Sequence, residues 1–321
     1  MGKRQDFFIC DRKKGGEERV EEFLKKTRIV IKPSEELYCQ SQILAYEGLS
    51  IEYYDGYTIP YKKELAGTNA FLIGSDKTLC AILNLKEHGG KQEKLYLTKA
   101  AELETRETQR KDYRIFCMGR QTSESLYHLY YGEHTILPEH IEVYSIPLID
   151  FVVRKPVTLM LPMAIDFGSV NTTAGVYLDS AYFEHVGQQA AIKNCRENEI
   201  NYTAFEDGAG ESMLLPSVIG VLAVEEEDDK LLFGYDAIRL ANASYVDEGF
   251  CVFYDVKRWI GEYDKEEEIV DRQGRRRLVK RAEILRRFFL YIIRKTENRF
   301  KCRISQVHIS SPVKQKHYFR R

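Results

Sequence analysis

The sequence predicts an α/β protein in two parts: a β-rich, sandwich- or barrel-like first part, and a second part built around a strand–turn–strand unit. Three observations carry this. Between Ile29 and about Val153, short apolar runs are broken repeatedly by turn residues. Over 157–178, two apolar runs flank Asp166-Phe167-Gly168-Ser169-Val170-Asn171. Further on, Ile284, Leu285, Phe288, Phe289, Ile292 and Ile293 recur at helical spacing and predict a broad buried helix face. The chain has 321 residues, enough for two or three domains at about 100–200 residues each.

Residues 1–28 read as a charged lead. Val20, Phe23 and Leu24 fall at helical spacing, and Glu21–Lys25 and Glu22–Lys26 are favourable i,i+4 pairs, so a short surface helix is expected over 16–27. The cluster Arg12-Lys13-Lys14 reads as a solvated face. Residues 29–155 form the β-rich part. Expected strands are Ala70–Ile73, Thr78–Leu85, Lys94–Thr98, Tyr113–Cys117 and Ile141–Ile146, the last alternating with period two. Asp55-Gly56 and Gly89-Gly90 are turn dipeptides. The one candidate helix in this stretch is Lys99–Thr108, and the dense tyrosines (Tyr127, Tyr130, Tyr131, Tyr144) read as sheet packing. His134 and His140 match no zinc-ligand spacing. Charged residues and Pro156 at 154–158 mark a boundary, and residues 156–321 form the last part.

Bulk properties narrow the classes. An apolar fraction of 44% and a charged fraction of 30% fit globular domains. The net charge of -1 gives no general steering toward nucleic acid or acidic membranes. No apolar run approaches the ~20 residues of a bilayer span, and the N-terminus has no signal-peptide core. Seven scattered cysteines without a C-x-x-C pair read as buried thiols of a reducing compartment, so a cytoplasmic location is expected.

In the last part, Val157–Asp166 reads as a strand and Thr173–Leu178 as its hairpin partner. Gly168 permits close backbone approach to a ligand, and successive N–H groups in such a turn form an anion nest. Asp166 would face a ligand's metal ion, because a carboxylate against phosphate is costly unless a cation and its waters lie between. Ser169 adds a hydroxyl donor. The G-x-x-x-x-G-K-[ST] phosphate loop is absent. Downstream come Leu215-Pro216-Ser217-Val218-Ile219 as a strand start, Phe233-Gly234 entering a helix, Lys257-Arg258-Trp259-Ile260-Gly261, and the strand Gln306–Ser311 ending at Pro312. Arg272–Arg281 is dense in arginine and reads as an exposed loop.

In this order, these segments resemble the first lobe of the ATPase domain of the 70-kDa heat-shock chaperone family, within the actin/hexokinase-like ATPase superfamily. The resemblance covers about 160–321. It implies a ribonuclease-H-like α/β lobe, ATP and magnesium as cofactors, and client proteins and co-chaperones as partners. It implies that Asp166 holds magnesium through water and that Gly168, Ser169 and Val170 cradle phosphates. Lys257 would stabilise charge during hydrolysis, and Pro312 and Arg320 would relay nucleotide state to a partner domain. Val170 stands where the family usually has threonine, and Val313-Lys314-Gln315 replaces its aromatic pair. The family's second phosphate motif, second lobe and substrate-binding domain would lie beyond Arg321, so hydrolysis is expected only with that lobe present. Two alternatives remain open at this point: a non-enzymatic interaction module carrying an incomplete ATPase lobe, and a small-molecule kinase of the same superfamily, which the Lys257 segment disfavours.

Overall fold

A computed structural model describes residues 11–32, 43–50, 58–60, 65, 67–88, 94–99, 113–147, 151–187, 194–226, 228–243 and 249–310. The chain divides into two compact units, Met1–Pro156 with Gln189–Lys193, and Val157–Gln188 with Asn194–Arg321.

The first unit holds helix α1 (Asp11–Lys26), strands β1 (Arg28–Lys32), β2 (Ile43–Tyr46), β3 (Thr58–Pro60), β4 (Asn69–Gly74), β5 (Leu79–His88), β6 (Lys94–Lys99) and β7 (Tyr113–Met118), helix α2 (Arg120–Tyr130), and strands β8 (His140–Pro147) and β9 (Phe151–Arg154). Seven strands form one sheet in the order β1-β8-β7-β4-β5-β6-β3, with β2 and β9 a separate parallel pair. β1 runs parallel to β8, and the other pairs of the large sheet are antiparallel. Among the described residues its two end strands do not pair with each other, so the sheet is open rather than a barrel. On one face of the sheet, helices α1 and α2 supply the packing layer. Side chains alternate along each strand. Phe71 and Ile73 of β4, and Phe116 and Met118 of β7, pack with Val20 and Leu24 of α1 and Leu126 of α2. Their neighbours Ala70, Leu72, Ile115 and Cys117 join Ile59, Leu65 and Ala45 in a second core cluster.

α1 extends further toward the N-terminus than its charge pairs indicate, running through Gly15-Gly16. Glycine is ordinarily a weak helix residue. Here a Cβ on Gly16 would sit 2.1 Å from the Tyr130 carbonyl oxygen, so close helix approach requires its absence. Arg19 completes the junction by donating from Nε to the Leu129 carbonyl and from a terminal nitrogen to the Tyr130 carbonyl, both at 3.1 Å. Those carbonyls lie at the C-terminal end of α2, where the Leu129 carbonyl also takes the Gly132 N–H at 3.1 Å, and a cation suits that pole. α2 corrects the reading of Tyr127 and Tyr130 as sheet residues: they ride on a helix, and Tyr130 is buried in the core. The candidate helix at Lys99–Thr108 lies outside the described residues apart from Lys99, which ends β6.

The second unit holds β10 (Val157–Leu159), β11 (Met163–Phe167), β12 (Asn171–Leu178), α3 (Ser180–Val186), β13 (Glu199–Tyr202), β14 (Phe205–Glu206), β15 (Glu211–Ser212), β16 (Leu215–Pro216), β17 (Ile219–Ala223), β18 (Lys230–Phe233), α4 (Tyr235–Asn242), β19 (Val252–Phe253), β20 (Glu266–Val270), β21 (Arg276–Lys280), α5 (Arg281–Phe300), β22 (Cys302–Ile304) and β23 (Val307–Ile309). The run 157–166 is two strands, interrupted at 160–162 where Pro162 stands, and β10 pairs with β22 while β11 pairs with β12 and β23. The sheet order is β13-β12-β11-β23, with β16 also on β12. β17, β18 and β19 form a second sheet, on which α4 packs. The arginine-dense stretch is not a loop: β20 and β21 form a hairpin with Arg276 paired to Glu268 across it at 3.1 Å.

α5 supplies the core beneath β11. Phe288 is fully buried, and its ring centroid lies 5.9 Å from those of Phe167 and Phe233. Deeper in, the Thr203 and Thr296 hydroxyls pair at 2.7 Å, so two buried polar groups satisfy one another. Among the described residues, no helix is long and apolar enough to cross a membrane.

Candidate functional site

Alternation along β11 decides which way its side chains point. Met163, Ile165 and Phe167 are buried, and Phe167 meets Phe289 of α5 at 5.1 Å. Asp166, between two buried neighbours, therefore emerges on the opposite, exposed face.

The chain then reverses. Asp166 pairs with Thr173 and Phe167 with Thr172 in the antiparallel ladder. The Gly168 N–H donates to the Asn171 carbonyl at 3.1 Å, closing a tight loop over Ser169 and Val170. A Cβ on Gly168 would stand 2.2 Å from that same oxygen, so only glycine fits. The N–H groups of Ser169 and Val170 make no hydrogen bond among the described residues, and both residues are exposed. Adjacent N–H groups left unbonded in a reversal can form the kind of concavity that binds anions.

Two serines from distant parts of the chain brace this loop. Ser217, fully buried, donates from Oγ to the Gly168 carbonyl at 2.8 Å and from its N–H to the Val170 carbonyl at 2.8 Å. Its Oγ also lies 2.9 Å from Thr172 Oγ1. On the other side, Ser310 Oγ donates to Asp166 Oδ1 at 2.6 Å and accepts the Phe167 N–H at 3.2 Å. The Ser310 N–H donates to the Ile165 carbonyl at 2.8 Å, extending the β11–β23 pairing by one residue. The sequence shows Ser217 and Ser310 only as strand-flanking residues. No spacing rule marks them, because their role depends on strand pairing across 49 and 144 positions.

Lys257 lies on a 3-10 helix, Val256–Glu262, after β19. Asp255 begins that helix in the left-handed region, at φ 54°, and is ion-paired with Arg258. Trp259 anchors the turn, with its ring 5.0 Å from Phe253 and the Arg281 guanidinium 5.5 Å above it. Lys257 itself is half-buried and makes no hydrogen bond or ion pair among the described residues. The structure thus gathers Asp166, Gly168, Ser169 and Val170 in one loop, while no bond ties Lys257 to it. Pro312 and Arg320 lie outside the described residues.

Other chemistries find less support. Burial pushes the thiols of Cys195, Cys251 and Cys302 up, which keeps them protonated and poorly nucleophilic. Among the described residues, no three His, Cys, Asp or Glu side chains gather as a metal-binding group. Glu133 pairs with His128, at 2.6 Å. No model of a known protein family matches the chain, and comparison with curated proteins likewise gave no match.

Proposed function

We propose that the second unit binds the phosphates of ATP at the 168–170 loop, and that the chain is part of a chaperone-like switch coupling ATP binding and hydrolysis to partner-protein binding. The observation that carries this is the loop itself. It offers two N–H groups without a hydrogen bond among the described residues, the Ser169 hydroxyl, and an exposed carboxylate at its base. Ser310 holds one oxygen of that carboxylate, and the other makes no hydrogen bond among the described residues. That donor set fits a magnesium ion held through water, since a single exposed carboxylate is too little for direct all-protein coordination. Magnesium, when bound, would neutralise charge on the phosphate oxygens.

In this reading the chain's residues divide the work. The Ser169 and Val170 amides orient phosphate oxygens, and Asp166 orients the ion's water shell. Lys257 contributes positive charge where phosphoryl transfer needs it. Client proteins and co-chaperones are the corresponding partners. A cytoplasmic location agrees with the free thiols among the described cysteines.

The test is amide NMR of the whole chain with millimolar magnesium ATP. The Ser169 and Val170 signals shift on addition, and Asp166→Ala removes the magnesium dependence. No shift at either amide would sink the proposal. A non-enzymatic interaction module is the second reading, favoured by the lack of any bond between Lys257 and the loop. Nucleotide-dependent amide shifts in this chain, without hydrolysis in a longer one that contains the second lobe, would select that reading.

A further inference from the structure

We propose that Ser217 and Ser310 are positioning residues that preset the loop for phosphate and metal, Ser217 through the Gly168–Ser169 peptide and Ser310 through Asp166. This assignment rests on the ATP reading above.

Peptide geometry gives Ser217 its role. In a planar trans peptide, the carbonyl and the following N–H point in opposite directions. Ser217 Oγ draws the Gly168 carbonyl inward with a 2.8 Å hydrogen bond. The N–H of the same peptide, on Ser169, must then face outward. Ser217 acts a second time through its own N–H, which takes the Val170 carbonyl at 2.8 Å. The Gly168 and Val170 carbonyls are thereby both engaged. A loop whose carbonyls could flip outward would repel phosphate, so fixing them favours binding before any ligand arrives. Ser217 is fully buried, which removes water as a competitor for these bonds.

Ser310 does a different job. Its hydroxyl spans the Phe167 N–H and Asp166 Oδ1, so the carboxylate is tethered to the backbone of its own strand. An exposed aspartate otherwise samples several rotamers. Holding one oxygen fixes the direction of the other, which is the one left to face a hydrated cation.

The two roles separate experimentally. Affinity is read from the Ser169 and Val170 amide shifts of the full chain, titrated with magnesium ATP and with ATP plus chelator. Ser217→Ala should weaken binding about tenfold in both titrations, the equivalent of one well-formed hydrogen bond. Ser310→Ala should weaken it by a similar factor, about tenfold, only when magnesium is present. Ser310→Thr keeps the hydroxyl and should restore that loss. Thr203→Val is the control for mere destabilisation, since it removes a buried hydroxyl pair of the same unit without touching residues 166–170. It should lower the melting temperature and leave affinity within about twofold.

Equal losses in Ser217→Ala and Thr203→Val would reduce Ser217 to a structural residue. A Ser310→Ala loss that ignores magnesium, or that Ser310→Thr fails to restore, would remove Ser310 from the assignment. Wild-type binding with unchanged affinity in both alanine variants overturns the assignment while leaving the ATP reading intact. Absence of wild-type binding overturns both.

Discussion

In the first unit, β4 is buried on both faces: Phe71 and Ile73 pack toward α1 and α2, while Ala70 and Leu72 pack the other way. In the second, β11 buries Met163, Ile165 and Phe167 but leaves Ala164 and Asp166 exposed. The two strands are similar in length and differ in what they leave open. A strand enclosed on both faces has no place for an uncompensated carboxylate, because burial of an unpaired charge is costly. A strand with one open face can carry Asp166 to a loop at its end. The polar side chains that meet there, Ser217 and Ser310, follow directly on β16 and β23. In this chain, candidate chemistry sits where alternation survives.

The strongest way to break that contrast is to empty each core separately. Phe71→Ala and Phe288→Ala each delete a fully buried ring, and each should cost about 3–5 kcal/mol. Hydrogen exchange distinguishes them. Phe71→Ala should release amides of β4 and β7 and spare β12, and Phe288→Ala should do the reverse. Uniform loss of protection in both variants would show that the units do not respond separately.

A second test concerns the polar side of the same unit. Asp271 is almost fully buried, yet accepts hydrogen bonds from the N–H groups of Val224 (2.9 Å), Gln273 (2.9 Å) and Arg275 (3.0 Å), and from Arg275 Nε (2.6 Å). Burial alone would push its carboxyl up, but these donors outweigh that and hold it below the ordinary 3.8. The folded state therefore binds this proton less readily than the unfolded chain. Its contribution is complete above the unfolded value and is lost as pH falls through the lower folded value. Asp271→Ala should cost about 2–3 kcal/mol at neutral pH. The loss should shrink as pH falls below about 4. Urea unfolding of both proteins at pH 7 and pH 3 checks this, and an equal difference at the two pH values would contradict it.

Gly168→Ala carries a smaller cost and acts on the loop directly. The added methyl meets the Asn171 carbonyl oxygen at 2.2 Å, so the hairpin end must open. The expected destabilisation is about 1–3 kcal/mol, measured by denaturation. Gly210→Ala, where a Cβ meets nothing within 4 Å, is the matched control. Similar effects at the two positions would remove the tight reversal as the reason for glycine at 168.

These contrasts also explain what the sequence discloses. β7 is legible because its apolar residues run with little interruption, and β8 because its apolar residues alternate with period two. The β11–β12 hairpin is legible because Asp166 and Gly168 interrupt two apolar runs. α2 is not, since Tyr127, Tyr130 and Tyr131 suit a strand as well as a helix by propensity. Only their packing, with Tyr130 inward against α1, separates the two. The β20–β21 hairpin is hidden for the opposite reason: both strands are rich in charge, with Glu266, Glu267 and Glu268 on one and Arg276, Arg277 and Lys280 on the other, and Arg276, opposite Val270 in register, is ion-paired to Glu268. Ser217 and Ser310 are invisible because a serine beside a strand carries no directional signal until the partner strands are known.

Lys257 gives the smallest expected change in stability and the sharpest separation of stability from chemistry. Its neighbours Val256, Trp259 and Ile260 are buried and hold the 3-10 helix in place. Lys257 contributes no hydrogen bond or ion pair among the described residues, so Lys257→Ala removes little that the fold uses. Stability should change by less than about 0.5 kcal/mol. If its ammonium stabilises charge on a transferring phosphoryl group, ATP hydrolysis by a longer chain that contains this one and the second lobe should fall about 100-fold. Phosphate release and thermal melting, measured on the same preparations, resolve the two effects. Unchanged hydrolysis with unchanged melting would place Lys257 among ordinary surface lysines, leaving the hairpin loop as the sole basis of the nucleotide reading. Lost hydrolysis with unchanged melting would show that a residue with no structural partner is retained for its charge, which is what a group awaiting a ligand requires.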